Sequence, residues 1–272
     1  MVRSLWSAAT GMVAQQTNID TIANNLANVN TTGYKTEVAQ FKSLLYQTLQ
    51  TRTTTANGDP KPVGAQVGLG VRNSSISSIF GQGAFQDSES TTDFAISGKG
   101  LFAILADDGE TYYTRNGNFF LNTNDSDGLT LCTSDGYAVL DTRGREIVFN
   151  KNYTASNLTI SDEGEFYYPD ADNNPQSLGI TIGLYQFNNP TGLEKIGGSY
   201  YKETAASGEA INESRSNNLE KSTIVQGYLE RSNVQVVDEM VNMIVAQRAY
   251  EMNSKAITTS DEMLQQANNL KR

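Results

Sequence analysis

Residues Leu5, Ala9, Met12, Gln16, Ile19, Ala23, Leu26 and Asn30 recur at alternating intervals of four and three. That spacing keeps one stripe of a helix against a partner helix. A second stripe of Val2, Trp6, Val13, Ile22 and Val29 widens the apolar face, and the rest of the surface is nearly all Ser, Thr, Asn and Gln. Before Tyr34 the only charged side chains are Arg3 and Asp20. A helix lying on a globular domain normally turns a charged face to water, and this one has almost no charge to turn. The pattern fits an ordinary amphipathic helix with a neutral face. It also fits a helix enclosed by other protein, where charges would be costly to desolvate and small or amide side chains allow close approach.

The far end repeats the design. Val234 to Leu270 contains neither Pro nor Gly, and its stripe is Val234, Val237, Val241, Val245, Ala249, Met252, Ala256, Thr259, Met263, Ala267 and Leu270. Helical ends of matched period suggest pairing with each other or with neighbouring copies. Between them Gly64 to Gly227 reads as short strands separated by turns such as Asp108-Gly109, Asn116-Gly117, Asp135-Gly136 and Arg143-Gly144, the marks of an antiparallel β domain, with Asn188 to Ser222 irregular. The expected fold is therefore α+β: long N- and C-terminal helices forming a coiled-coil-like pair that brackets an inserted antiparallel β domain. The expected divisions are 1–33 with 234–272 as the helical part, 34–69 with 227–233 as a connecting segment, and 70–226 as the β-rich part. Gly33 is placed to cap the first helix in the left-handed conformation. Within the connecting segment, residues 46–68 form a long arm whose Thr51–Pro62 stretch has the composition of a loop.

Several classes of function are excluded by what the chain lacks. It has no His among 272 residues, which removes the commonest general base and metal ligand and every Ser-His-Asp or Cys-His scheme. One Cys, Cys132, rules out an internal disulfide or a thiolate metal cluster, and its setting in Leu129–Thr133 reads as a small buried strand residue. A net charge of −10 without a basic cluster argues against nucleic acid. No stretch approaches the ~20 apolar residues of a membrane span. Arg3 and the run Leu5–Ala14 could pass for a signal peptide, but Ser7, Thr10 and Gly11 interrupt it and the heptad continues through it, so no cleavable leader is expected.

Motifs with chemistry also fail. After Gly98-Lys99 a phosphate loop needs Ser or Thr, and Gly100 stands there. Gly64, Gly68 and Gly70 lack the dinucleotide fingerprint spacing. The stretch Thr123–Ser134 resembles a calcium loop, yet its first and twelfth positions are Thr and Ser where Asp and Glu belong. No catalytic, cofactor or metal residue is expected, and no cofactor.

Ala23-Asn-Asn-Leu-Ala-Asn28-Val-Asn30-Thr-Thr-Gly33-Tyr34-Lys35, with Ser4-Leu5 and Gly11 before it, resembles the N-terminal signature of the bacterial flagellar basal-body rod and hook proteins. Ser232-Asn233-Val234, Glu239-Met240, Gln247–Glu251, Asn253, Lys255 and Asp261–Leu264 resemble that family's C-terminal block. Asp93–Phe102, Tyr113–Gly117 and Asn189–Leu193 match its middle in kind. Length, the opening Ser4-Leu5-Trp6 and the 46–68 arm are most similar to the distal part of the rod; a proximal rod protein or a short hook-type axial protein is the alternative. The resemblance implies a homo-oligomeric helical tube with the terminal helices as inner wall and the β domain as outer wall. It implies as partners the proximal rod proteins, the hook protein, the outer-membrane and peptidoglycan rings, the rod cap and the type III export apparatus. A rigid shaft that carries torque across the periplasm is the implied function. The assembly contacts it implies are Leu5, Ala9, Met12, Ile19, Ala23, Leu26, Asn28 and Gly33, together with Val241, Ala249, Met252, Ala256 and Met263.

Overall fold

The computed structural model of the chain describes residues 2–50, 64–123, 128–151, 153–170, 174–216 and 219–270. The expected Thr51–Pro62 loop, residues 124–127 of the calcium-like stretch and residues 171–173 lie outside them. The chain is α+β, with a helix at each end bracketing an antiparallel multi-stranded region. It divides into two compact units. One comprises residues 1–27, 37–78 and 235–272, and the other residues 28–36 and 79–234.

In the first unit, helix α1 (Val2–Ala27) and helix α2 (Val236–Asn269) run antiparallel. Ser4 meets Ser260, Gly11 meets Asn253, and Asn25 meets Glu239. Asp238 and Glu239 stand in the first turn of α2, where acidic groups complement the helix dipole. Four strands complete the unit: β1 (Glu37–Ser43), β2 (Tyr46–Gln50), β3 (Ala65–Gly68) and β4 (Val71–Ser78). β1 pairs with β4 from Glu37↔Ser78 to Ser43↔Val71, with a bulge at Gln40/Phe41. β2 pairs with β3, so both ends of the 46–68 arm are strand rather than loop. Polar groups tie α1 to this ribbon. Val71 N donates to Thr10 Oγ1 at 3.3 Å, Asn73 Nδ2 donates to Thr17 Oγ1 at 2.6 Å, and the Asn25 amide exchanges hydrogen bonds with the Glu37 backbone at 2.8 and 2.9 Å.

The second unit is antiparallel β. Its main sheet runs, in spatial order, Val148–Asn150, Gly128–Cys132, Ala138–Val139, Leu101–Leu105, Thr111–Thr114, Tyr200–Lys202 and Glu194–Gly197. Leu184–Gln186 adds to Leu101–Leu105, and Phe120–Thr123 adds to Gly128–Cys132. Strands 194–197, 200–202 and 211–212 fall in a stretch whose Gly, Ser and Asn content reads as irregular from sequence. Phe94, Ile96, Phe102, Ile104, Phe119, Leu131, Val139, Ile147, Phe166, Ile182 and Ile224 fill the core. Phe102 and Phe119 meet edge to face at 5.1 Å, a geometry aromatic pairs favour.

Gly33 is left-handed as expected, with φ +68°, but it caps no helix. α1 stops at Ala27, where Asn28 accepts from the backbone amide and the hydroxyl of Thr31, each at 3.1 Å, and turns the chain. The N–H of Gly33 instead donates to the Glu230 carbonyl at 2.8 Å, inside the β unit.

Candidate assembly site

Among the described residues no cluster of metal-ligating side chains stands out, and what they build is a pair of joining devices, one in each unit. In the helical unit, the residues facing across the pair are small or polar. Ser4, Gly11 and Asn25 are spaced by seven or its multiple, and so are their partners Ser260, Asn253 and Glu239. A Cβ added at Gly11 would lie 2.8 Å from Asn253 Nδ2, so glycine there leaves room for the Asn253 amide to lie against α1. Ala8, Ala14, Thr21 and Ile22 on α1 and Ala246 on α2 are buried.

The stripes singled out from the sequence lie one position away from it. Leu5, Ala9, Met12, Ile19 and Leu26 are half-buried, and Ala23 is exposed. On α2, Ala249 is half-buried, whereas Val241, Met252, Ala256 and Met263 are exposed. Val237, Val241, Ile244, Val245, Met252 and Met263 are 49–73% exposed in the single chain, a long apolar row on one helix. On α1, Trp6 and Val13 are 65% and 64% exposed. Asn28 and Gly33 belong to neither helix but to the 28–36 segment of the β unit.

The β unit holds a charge cluster that sequence reasoning missed. Lys35 and Arg115 stood in quoted motifs without a role, and Glu230 carried no signal at all. Its side chain is fully buried, and those of Lys35 and Arg115 are 2% and 4% exposed. Lys35 Nζ donates to Glu230 Oε1 at 2.7 Å and to the Gly81 carbonyl at 2.7 Å. Gly83 N donates to the same carboxylate oxygen at 2.7 Å. Arg115 Nε donates to Glu230 Oε2 at 2.5 Å. The remaining Arg115 nitrogens donate to the carbonyls of Gly100, Gly98 and Ile96 and to Gln82 Oε1. Each nitrogen of this guanidinium thus has an acceptor, and a buried ion is tolerable when it is hydrogen-bonded in this way. Burial lowers the Lys35 pKa from its ordinary value, and the attraction of Glu230 opposes that shift in part.

The motif residues around the cluster have backbone reasons. A Cβ on Gly33 would come within 2.6 Å of Asn116 N and 2.7 Å of Arg115 C. On Gly117 it would lie 1.7 Å from the Phe94 carbonyl oxygen, across the bridge Asp93↔Asn118. Asp93 accepts from Ser88 Oγ at 2.5 Å and Asn118 Nδ2 at 2.9 Å, closing that bridge. Among the described residues no helix is long and apolar enough to cross a membrane.

Comparison with known proteins adds three family matches. The flagella basal body rod protein family matches residues 5–35, the flagellar hook protein FlgE/F/G D1 domain residues 95–168, and the flagellar basal body rod FlgEFG protein C-terminal family residues 225–270. Lys35, Arg115 and Glu230 come one from each matched segment, so the cluster ties together the three parts by which the family is recognised. Over its whole length the chain is 48% identical to the flagellar basal-body rod protein FlgG of Borreliella burgdorferi, again over that protein's whole length. It is 41% identical to the protein of the same name in Bacillus subtilis, covering 100% of both chains. To the flagellar hook-basal body complex protein FlhP of Bacillus subtilis it is 31% identical over 97% of each. A structure of two joining devices and these full-length likenesses lead to one conclusion: the chain belongs to the flagellar basal-body rod protein family and is a structural subunit, not an enzyme.

Proposed function

We propose that the chain is a subunit of the distal rod that self-assembles with its own copies into a rigid helical tube and transmits motor torque to the hook. The observation that carries this reading is the apolar row of Val237, Val241, Ile244, Val245, Met252 and Met263, left open to water on α2. A contiguous exposed apolar surface marks an interaction site. In a tube the occupant is the next copy, because one patch meeting a different patch on a neighbour propagates without closing. Leu5, Ala9, Met12, Ile19, Ala23 and Leu26 on α1 and Val241, Ala249, Met252, Ala256 and Met263 on α2 are then the contacts between copies. The two helices supercoil as a coiled-coil-like pair within the inner wall. Residues 1–33 and 234–272 form that wall, 70–226 the outer layer, and 34–69 with 227–233 the connection. The tube spans the periplasm, meets proximal rod and hook proteins at its ends, and passes through the surrounding rings.

The test is a chain carrying both Val241→Asp and Met252→Asp, at sites 53% and 66% exposed. Exposed substitutions change stability by about 0.5 kcal/mol or less, so thermal unfolding of the variant should match the parent. Electron microscopy should show no tubes, and a strain relying on this copy should not swim. Straight rods of normal length from the double variant would defeat the proposal.

A further inference from the structure

We infer that residues 28–36 form a releasable strap, a segment that undocks from the β unit while the sheet stays folded. Its hydrogen-bonded attachments are polar, and the Tyr34 ring adds a contact with Lys195 Nζ, 6.0 Å from the ring centre. Thr32 Oγ1 donates to Asn116 Oδ1 at 2.9 Å, and Gly33 N to the Glu230 carbonyl at 2.8 Å. Lys35 Nζ binds Glu230 and Gly81, the Thr36 amide and hydroxyl both donate to Asn233 Oδ1 at 2.8 Å, and Ile79 N donates to the Thr36 carbonyl at 2.8 Å. Among the described residues, neither hydrophobic cluster of the unit includes a member of 28–36. Burial of apolar area, the largest favourable contribution to folding, therefore does little to hold this segment.

The charges point the same way. With the strap docked, the cluster holds two cations and one carboxylate away from water. When the strap leaves, Lys35 regains hydration. Glu230 stays neutralised by Arg115 and bonded to Gly83, so the sheet keeps a balanced pair rather than an orphan charge. Desolvation of an ion offsets much of what its partners return, so the net hold of Lys35 is small for a group so buried. Undocking frees the chain between Ala27 and Glu37, the two residues at which it leaves and re-enters the helical unit. The strap is thus a slack-taking element that lets this connection adjust without melting the sheet.

Native-state hydrogen exchange on the full chain, followed in increasing low guanidinium, tests this directly. Corrected for intrinsic rates, the amides of Gly33, Thr36 and Ile79 should exchange about 100-fold or more faster than those of Ala103, Leu131 and Ile147, with little dependence on denaturant. Lys35→Met should speed the strap amides about 10-fold or more and leave the near-ultraviolet tyrosine spectrum of the sheet unchanged. Strap amides that merge with the core amides at one denaturant-dependent limit would overturn the inference. So would a Lys35→Met chain that fails to fold, because the strap would then be integral to the sheet.

Discussion

Neutralising Glu230 should be far more damaging than neutralising Lys35, although the two are partners in one ion pair. Glu230→Gln keeps the shape of the side chain but leaves the Lys35 and Arg115 cations, 2% and 4% exposed, without a counter-charge. Removing one member of a buried pair in that way costs about 3–5 kcal/mol. For a domain of this size each kcal/mol lowers Tm by about 2–4 °C, so a drop of about 6–20 °C is expected. Lys35→Met leaves Glu230 paired with Arg115 and with the Gly83 amide. It loses two ammonium hydrogen bonds but also removes an ion from a dry site, and it should cost about 1–2 kcal/mol. Urea unfolding followed by near-ultraviolet circular dichroism reports on the β unit, whose buried Tyr112, Tyr113, Tyr200 and Tyr201 give the signal. Fluorescence of Trp6, the only Trp, follows α1 separately. The reasoning is refuted if Glu230→Gln lies within about 1 kcal/mol of the parent, or if Lys35→Met is the costlier of the two.

Gly33→Ala should lose more than about 2 kcal/mol, since a left-handed Ala costs roughly 1–2 kcal/mol and its Cβ would press on Asn116 N at 2.6 Å; urea midpoints at constant slope would measure it. Gly117→Ala, at ordinary φ but 1.7 Å from the Phe94 oxygen, should be as severe and should raise exchange at the Phe94 amide, which bonds to the Gly117 carbonyl. Burial disfavours the Asp141 carboxylate, but the amides of Arg145 and Arg143 and the Arg145 guanidinium together outweigh it and hold its pKa below the ordinary value. A depressed carboxyl stabilises the fold fully above the unfolded value of about 3.9 and loses that contribution as pH falls through the folded value. Asp141→Asn should therefore flatten the fall in stability between about pH 4 and the folded pKa, as read by urea unfolding across that range.

The terminal helices were legible because their periodicity runs far longer than any strand pattern, and the strands at Phe94–Ser97 and Leu101–Leu105 because apolar runs end at Gly98 and Gly100. The strands at 194–197, 200–202 and 211–212 were not. They are short, and their partners are chosen by tertiary pairing across the sheet rather than by local composition. Glu230 was invisible for a similar reason. Its exposed-looking type becomes a buried hub only through Lys35 and Arg115, which lie 195 and 115 positions away in sequence.

The seam of the helix pair shows a subtler limit. A heptad pattern reports a period but not the line of contact, and bulk alone would place that contact on the largest side chains. Within this chain the contact falls one residue earlier, on Ser4, Gly11 and Asn25, because residues without bulk let two backbones approach and their polar groups meet across the gap. Large residues on the same line would hold the helices apart. Displacing Leu5, Met12, Ile19 and Leu26 to the flank leaves them half-buried, and the α2 row from Val237 to Met263 remains open. A chain meant to stay alone would have turned that bulk inward and charge outward. Here the small residues serve the pairing of the two helices, and the large ones of α2 stay exposed to water in the single chain.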